Sequence, residues 1–276
     1  MKILVTGANG YLGSGIVKKL LDNGNSVIAT DFGDEHIDKR AEIIKSDIFA
    51  QEDPYDYFGK PDVLLHLAWR DGFVHNSEKH MEDLPLHYSF IKKMAEGGVK
   101  RIAVMGTMHE IGFWEGSIDE NTPCNPSTLY GISKNALRNT VELLCKTNNV
   151  EFQWFRAYYI VANTIYGNSI FSKIALAESE GKDLFPFTTG QNQYDYLDYD
   201  EFCMQVASAV SQNEVLGIIN ICSGKPEKLA DRVERFIKEN NFKIKLDYGK
   251  FPDRPYDSKA VWGNSSKIDL ILNAEN

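Results

Sequence analysis

Apolar residues recur along the first half of the chain with two alternating periods. Stretches dominated by apolar residues at 3–5, 26–30 and 62–69 predict buried β-strands. Between the first two runs, Leu12, Ile16, Val17, Leu20 and Leu21 recur at helical spacing, so a helix is expected there. This alternation predicts an α/β fold, a doubly wound parallel sheet covered by helices on both faces.

The pattern continues and then breaks. Residues 77–97 predict a helix and residues 100–106 the next strand, and later core strands are expected at 150–156 and 217–221. Regular alternation fails between residues 160 and 196, which read as loops, short strands and a helix from about 169. Such a break is typical of a separate binding unit inserted into the fold.

Closely spaced glycines follow the first strand, in the stretch Thr6-Gly7-Ala8-Asn9-Gly10-Tyr11-Leu12-Gly13. Glycine lets the backbone turn sharply and lets a pyrophosphate approach the main chain, while the following helix offers N–H groups and its positive dipole end. The strand, turn and helix therefore predict a phosphate cradle of the Rossmann type. The expected cofactor contacts are Gly7, Asn9, Gly10, Tyr11, Leu12 and Gly13.

Acidic residues at the ends of later predicted strands are suited to bind the ribose and the adenine of a dinucleotide. Asp31 ends the second predicted strand, where a carboxylate binds both ribose hydroxyls and repels a 2′-phosphate, which favours NAD over NADP. A short strand is expected over residues 43–48, and the Asp47 and Ile48 at its end suit an adenine. Small Ala68 after Leu67 leaves room for the cofactor. His66 is expected to be a buried, hydrogen-bonded strand residue.

Three residues in the middle of the chain suggest chemistry. Thr107 follows a predicted strand, and Tyr130 and Lys134 lie one turn apart on a predicted helix, so they face the same side. An adjacent ammonium stabilises a phenolate, so Lys134 is expected to lower the pKa of Tyr130 and make it a general acid/base. Thr107 is expected to hydrogen-bond the same substrate oxygen, and Lys134 to reach the nicotinamide ribose.

Together these motifs resemble those of the extended short-chain dehydrogenase/reductases, in the NAD-dependent epimerase/dehydratase branch that acts on nucleoside-diphosphate sugars. The resemblance covers nearly the whole length. It implies that the sugar nucleotide contacts Thr107, Met108, His109, Asn168 and Arg254. Dimers formed through two long helices are common in that family. The resemblance therefore implies a homodimer, although no residue of this sequence establishes one.

The resemblance also implies a division into two interleaved domains. The expected NAD(P)-binding Rossmann domain comprises residues 1–160 and 197–222. The smaller, mainly C-terminal substrate-binding domain is expected to comprise residues 161–196 and 223–276.

Length and composition are consistent with this interpretation. The chain has 276 residues, a net charge of −9 and four cysteines without a C-x-x-C pair, so neither a nucleic-acid surface nor a zinc or disulfide framework is expected. The six histidines show no metal-ligand spacing, so no metal is predicted. No window is long and apolar enough for a membrane span, so a cytoplasmic protein is expected.

Departures from the family pattern restrict the activity. Dehydratases follow the catalytic Thr with Asp and Glu, where this chain has Met108 and His109, so dehydration is not expected. Many epimerases contact phosphate through an Asn and an Arg. At the corresponding two positions this chain has Tyr159 and Tyr194. The leading hypothesis is a 4-keto-6-deoxyhexose nucleotide reductase. A 4-epimerase with retained NAD and a non-catalytic dinucleotide-binding protein are the alternatives.

Overall fold

The computed structural model describes residues 1–165, 169–252 and 257–274. The elements follow one another in this order: β1 Lys2–Thr6, α1 Tyr11–Asp22, β2 Ser26–Asp31, β3 Glu42–Lys45, α2 Pro54–Tyr57, β4 Val63–His66, α3 Lys79–Gly97, β5 Arg101–Thr107, β6 Gly116–Ile118, α4 Leu129–Asn148, β7 Glu151–Ala157, β8 Tyr159–Val161, α5 Ile170–Ser179, β9 Leu184–Pro186, β10 Gln193–Asp198, α6 Tyr199–Ser211, β11 Gly217–Ile221, β12 Pro226–Lys228, α7 Leu229–Glu239, β13 Lys245–Asp247, β14 Ala260–Gly263 and α8 Ser266–Ala274.

A seven-stranded parallel sheet forms the centre of the molecule, in the order β11-β7-β5-β4-β1-β2-β3. Its two faces bury different cores. Ile3 and Val5 pack into a cluster with α1, α6 and α8, whereas Leu4 between them packs into a cluster with α3 and α4. The α/β doubly wound fold is therefore confirmed, and the carboxyl ends of β1, β2, β4 and β5 meet at one edge.

Two local expectations need correction. The strand expected over 62–69 ends at His66, because the N–H groups of Leu67 and Ala68 turn to donate to Thr6 Oγ1 at 3.2 and 3.3 Å. Asp47 and Ile48 lie after β3, not within it. The Asp47 side chain accepts a hydrogen bond from Phe49 N at 2.9 Å and begins a 3-10 helix at Ile48.

A second sheet lies beside the first, in the order β12-β10-β14-β6, and β8 also pairs with β10. Its strands come from distant parts of the chain, since β14 pairs in parallel with both β6 and β10. The buried Asp195 of β10 joins them by accepting from Ser223 N, Gly224 N and Gly263 N. β6 lies within the range expected for the nucleotide-binding domain, and the domain boundaries stay a prediction.

Three further observations concern sequence expectations. Cys145, Cys203 and Cys222 are buried free thiols, and Cys124 is half-buried. Within the described ranges, no helix is long and apolar enough to cross a membrane. Asn168 and Arg254, both expected to contact substrate, lie outside the described residues.

Candidate active site

The glycine stretch after β1 forms a turn that side chains would obstruct. Gly7 has φ +69°, and a Cβ there would lie 2.8 Å from Ala68 N. A Cβ on Gly13 would lie 2.1 Å from the Gly7 carbonyl oxygen. The backbone of this turn therefore packs directly against the end of β4 and against itself, which leaves its outer surface without side-chain cover.

Helix α1 begins at this turn with its N–H groups available. Gly10 precedes the helix and has no side chain to cap it, and the first turn consists of the uncharged Tyr11, Leu12 and Gly13. The first N–H groups of a helix have no intrahelical acceptor, and the helix dipole places partial positive charge there. The arrangement fits the pyrophosphate of a dinucleotide.

Asp31 lies at the end of β2, next to the glycine turn. Its Oδ2 accepts a hydrogen bond from Asn9 N at 3.0 Å, and its Oδ1 accepts one from Phe32 N at 2.8 Å. The side chain of Asn9 in turn donates to Glu35 Oε2 at 2.7 Å. Asp31 is thus oriented by the backbone, and an ionised carboxylate keeps further acceptor positions for ribose hydroxyls.

Two local features bring Tyr130 to the end of β5. Thr128 caps α4 by accepting from Gly131 N at 3.1 Å, and Tyr130 N donates to the His75 carbonyl oxygen at 2.8 Å. A Cβ on Gly131 would lie 2.4 Å from the His109 carbonyl oxygen, so glycine permits the helix to approach the turn after β5. At this position, the Tyr130 side chain lies near enough to Thr107 for the threonine hydroxyl to influence its pKa.

The pKa of Tyr130 differs from the sequence-based expectation. Burial raises the pKa of Tyr130 to about 12, against the lowering influence of the Thr107 hydroxyl, and the Glu110 carboxylate raises it further. The expectation of a lowered Tyr130 pKa is therefore wrong in this structure, because burial is the largest influence on that pKa. Its ammonium lies 6.0 Å from the centre of the Tyr130 ring and donates to the Met105 carbonyl oxygen at 2.8 Å. Tyr130 is a neutral phenol at pH 7.

Lys134 occupies an enclosed position behind Tyr130. Its side chain is buried, and burial lowers its pKa to about 7, while Glu110 acts in the opposite direction. A lysine with a pKa near neutrality exchanges protons readily at physiological pH, and its charge depends on the few groups around it.

His109 and Met108 form a 3-10 turn directly after Thr107. His109 N donates to Thr107 Oγ1 at 3.2 Å, and Met108 is buried. The His109 ring lies 4.5 Å from the His75 ring and 6.2 Å from that of Tyr130. Burial, followed by the influence of His75, lowers the pKa of His109 to about 4, so its imidazole is neutral at pH 7.

Glu110 is a buried charge that the sequence interpretation missed. Its carboxylate accepts from Trp154 Nε1 at 2.8 Å and from Arg156 Nε at 2.6 Å, and Arg138 Nε lies 3.7 Å away. The network fixes the turn that follows Thr107 to β7 and α4. Arg156, directly after the aromatic pair Trp154 and Phe155 in a core strand, was the signal that a buried carboxylate was needed.

Aromatic side chains around Tyr130 were also missed. Trp69, His75 and His80 have ring centroids 6.3, 5.5 and 5.2 Å from that of Tyr130. Trp69 and His75 come from the segment between β4 and α3, and His80 from the first turn of α3. No sequence period in this region indicates that it lies over α4. The two unusual tyrosines, Tyr159 and Tyr194, pack on each other with centroids 4.7 Å apart.

His66 is buried as expected. Its Nδ1 lies 2.9 Å from Thr6 Oγ1, and its Nε2 lies 2.8 Å from His87 Nδ1. Because Thr6 Oγ1 already accepts from the backbone, its hydroxyl donates to His66, and His66 then donates to His87. His66 therefore links the end of β1 to α3 through hydrogen bonds beneath the candidate site.

The comparisons with known proteins identify the class. The profile of the NAD dependent epimerase/dehydratase family matches residues 3–222. This chain therefore belongs to that family, and the predictions of an extended short-chain dehydrogenase/reductase enzyme and of NAD as its cofactor are confirmed. Members of the class modify nucleoside-diphosphate sugars.

One relative is similar over nearly its whole length. It is a dTDP-6-deoxy-L-talose 4-dehydrogenase (NAD(+)) of Aggregatibacter actinomycetemcomitans, 45% identical over 269 residues, covering 95% of this chain and 99% of that protein.

Solved structures share the fold. The UDP-glucose 4-epimerase of Thermotoga maritima, solved with UDP-glucose, has a TM-score of 0.83 at 20% identity, covering 98% of this chain and 92% of that one. The UDP-glucuronic acid 4-epimerase of Bacillus cereus, in complex with UDP-glucuronic acid and NAD, has a TM-score of 0.79 at 20% identity, covering 99% and 93%.

Proposed function

We propose that this chain interconverts the 4-hydroxyl and 4-keto forms of a dTDP-6-deoxyhexose, with NAD and NADH as its redox partners. The observation that carries the proposal is the position of Tyr130 beside Thr107 at the end of β5, with Lys134 buried one turn further along the same helix. The relative described above supports C4 as the reacting carbon and dTDP as the carrier. Its name describes the oxidation, and the 4-keto reduction expected from the sequence is the reverse of the same reaction.

The proposed roles follow from the positions of the side chains. Bound NAD supplies the hydride acceptor, and NADH the donor. In oxidation, the Tyr130 phenolate takes the proton of the 4-hydroxyl as the C4–H bond breaks and the ketone forms. In reduction, the neutral Tyr130 phenol gives its proton to the oxygen as the new C4–H bond forms. Thr107 hydrogen-bonds the same oxygen, and the Lys134 ammonium stabilises the phenolate.

The neutral phenol bears on the pH dependence of the two directions. A Tyr130 with a pKa of about 12 holds the proton that ketone reduction consumes, and it must lose that proton before it accepts one from a hydroxyl. Reduction therefore starts from the phenol and oxidation from the phenolate, so oxidation is the direction expected to gain from alkaline pH.

The residues after Thr107 argue against dehydration. Elimination of water at the neighbouring carbons needs an acid and a base beside the sugar ring, and the positions that carry Asp and Glu in dehydratases hold a thioether and a neutral imidazole here. We assign Met108 and His109 to contacts with the sugar. His109 in its neutral form offers one donor and one acceptor.

Residues at the sheet edge are proposed to hold the cofactor. The turn at Gly7, Gly10 and Gly13 and the N-terminus of α1 fit the pyrophosphate, because Gly7 and Gly13 let the turn pack tightly beneath an uncapped helix start. We assign Asp31, at the end of β2, to the ribose hydroxyls. Asp47, Ile48, Leu67 and Ala68 follow the ends of β3 and β4 along the same edge, and we assign them to the adenine and the central part of the dinucleotide.

The test separates oxidoreductase from epimerase. Purified protein is mixed with dTDP-6-deoxy-L-talose and NAD, and the absorbance of NADH is followed; the reverse reaction uses the 4-keto sugar nucleotide and NADH. Stoichiometric formation or consumption of NADH supports the proposal. Conversion of one sugar nucleotide into its C4 epimer without added cofactor would favour the epimerase, and NAD binding without turnover would favour a non-catalytic protein.

A further inference from the structure

An indole ring lies against the ammonium group of the site. Lys134 Nζ is 3.9 Å from the centre of the Trp69 ring, well within the range of a cation–π interaction. The same Nζ donates to the Met105 carbonyl oxygen at 2.8 Å. Since Lys134 is only 3% exposed, these two contacts replace water around much of the ammonium.

The Trp69 ring is itself held in place. Its indole N–H donates to His80 Nδ1 at 3.0 Å, and this fixes the tautomer of His80, whose Nε2–H donates to the Val74 carbonyl oxygen at 3.0 Å. The ring also stacks on His87, with centroids 4.5 Å apart and an angle of 16°. The hydrogen bond to His80 thus fixes the edge of the indole, and the stacking on His87 fixes its plane.

We propose that Trp69 is a positioning residue for the proposed reaction: its π face, oriented by His80 and His87, holds the Lys134 ammonium in place and keeps it charged behind Tyr130. The proposal rests on the proposed role of the Tyr130 and Lys134 pair. A fixed ammonium meets the developing phenolate without reorganisation, whereas a neutral or displaced amine gives it no electrostatic stabilisation.

Few charged groups compete with this interaction among the described residues. Glu110, on the turn after β5, favours the ammonium; His66 on β4 and His87 on α3 lie near it, and Tyr130 lies on the same helix. Burial lowers the pKa of His66 well below its usual value and that of His87 to about 3, so both rings are neutral at pH 7. The charge of Lys134 then depends on Glu110 and on the Trp69 face.

The test measures the ionisation of Lys134 directly. Protein labelled with ¹³C-lysine is titrated by NMR, and the Lys134 signal is identified by its loss in Lys134→Arg. Trp69→Leu removes the π face and is expected to lower the titration midpoint by about one pH unit, a tenfold change in the ionisation constant. Trp69→Phe keeps an aromatic face and is expected to retain most of the parent midpoint. Trp114→Leu is the matched control, because the Trp114 indole N–H donates to Ser117 and belongs to another loop.

A second measurement does not depend on the folding of Trp69→Leu. Incorporating increasingly fluorinated tryptophan withdraws electron density from the ring face with little change of shape, so the midpoint of Lys134 is expected to fall stepwise. In Trp69→Phe the same series is expected to have no effect. A midpoint that stays constant through the fluorinated series in the parent protein, or in folded Trp69→Leu, would overturn the proposal.

These readouts need no sugar nucleotide. Failure of the proposed reaction would appear as absence of NADH turnover in the parent protein, whereas failure of the Trp69 proposal would appear in the titration alone. In an active parent, folded Trp69→Leu is also expected to shift the pH profile of turnover in the same direction as the NMR midpoint, which a purely structural role would not produce.

Discussion

Replacing Glu110 by glutamine removes one charge from a fully buried network while preserving the shape of the side chain. The carboxylate accepts from Trp154 Nε1 at 2.8 Å and from Arg156 Nε at 2.6 Å, and both donors are buried. A glutamine amide has one oxygen, so its NH₂ group would face one of these two donors. The Arg156 guanidinium, only 1% exposed, would lose its anionic partner.

The cost follows from these contacts. Breaking a buried ion pair by removing one partner costs about 3–5 kcal/mol, because the remaining charge stays buried without compensation. Arg156 keeps one further acceptor, the Asp119 carbonyl oxygen at 2.6 Å from NH1, so we expect the lower end, about 3 kcal/mol. For a domain of this size, that corresponds to a fall in Tm of roughly 6–12 °C.

Thermal unfolding of Glu110→Gln measures this directly, with Glu142→Gln as the matched control. Glu142 also pairs with Arg138, at 3.4 Å, but its side chain is 54% exposed. Exposed pairs contribute about 0–1 kcal/mol, so the control is expected to unfold close to the parent. A Tm of Glu110→Gln within about 2 °C of the parent would refute the reasoning that Arg156 depends on this carboxylate.

Three other outcomes are expected. Tyr130→Phe should lower turnover in both directions by at least about 100-fold without changing Tm, since only the proton-transferring hydroxyl is lost; substantial activity in this variant would refute its assignment as acid/base. The rate of sugar oxidation should rise with pH through the alkaline range, because the phenolate it needs is scarce below the Tyr130 pKa of about 12, and a flat profile would contradict this. Gly13→Ala should abolish NAD binding in calorimetric titration, because its Cβ would lie 2.1 Å from the Gly7 carbonyl oxygen, whereas Gly72→Ala, with open space around its Cβ, should bind NAD as the parent does.

Local patterns in the sequence predicted the sheet well and singled out the candidate catalytic residues, because each pattern depends on residues close together in the chain. The glycine turn, the strand ending at Asp31 and the Tyr130–Lys134 spacing are all of this kind. The roles assigned to the site residues stay predictions. The surroundings of the site come from distant segments: Trp69 meets Lys134 and Glu110 meets Arg156 only after the helices have packed.

The dependence of the site on distant segments explains why the sequence indicated the wrong direction for the pKa shift of Tyr130. One-turn spacing on a helix indicates that two side chains share a face, but it does not show how much water remains between them. Tyr130 and Lys134 do lie near each other, and burial is the largest influence on the pKa of each. The sign of a pKa shift at such a site is set by tertiary packing, which sequence spacing does not encode.

The parallel pairing of β14 with β6 affects the order in which the two sheets can form as the chain is synthesised. Residues 116–118 leave the ribosome long before residues 260–263, so β6 must wait for its neighbour while β1 to β5, β7 and β11 already have every partner in the central sheet. The nascent chain is therefore expected to acquire its cofactor-binding half first and to complete the loop after Thr107 last. A chain stalled between residues 222 and 260 would have every strand of the central sheet, but it would still lack β14 and the helix α8 that packs against that sheet.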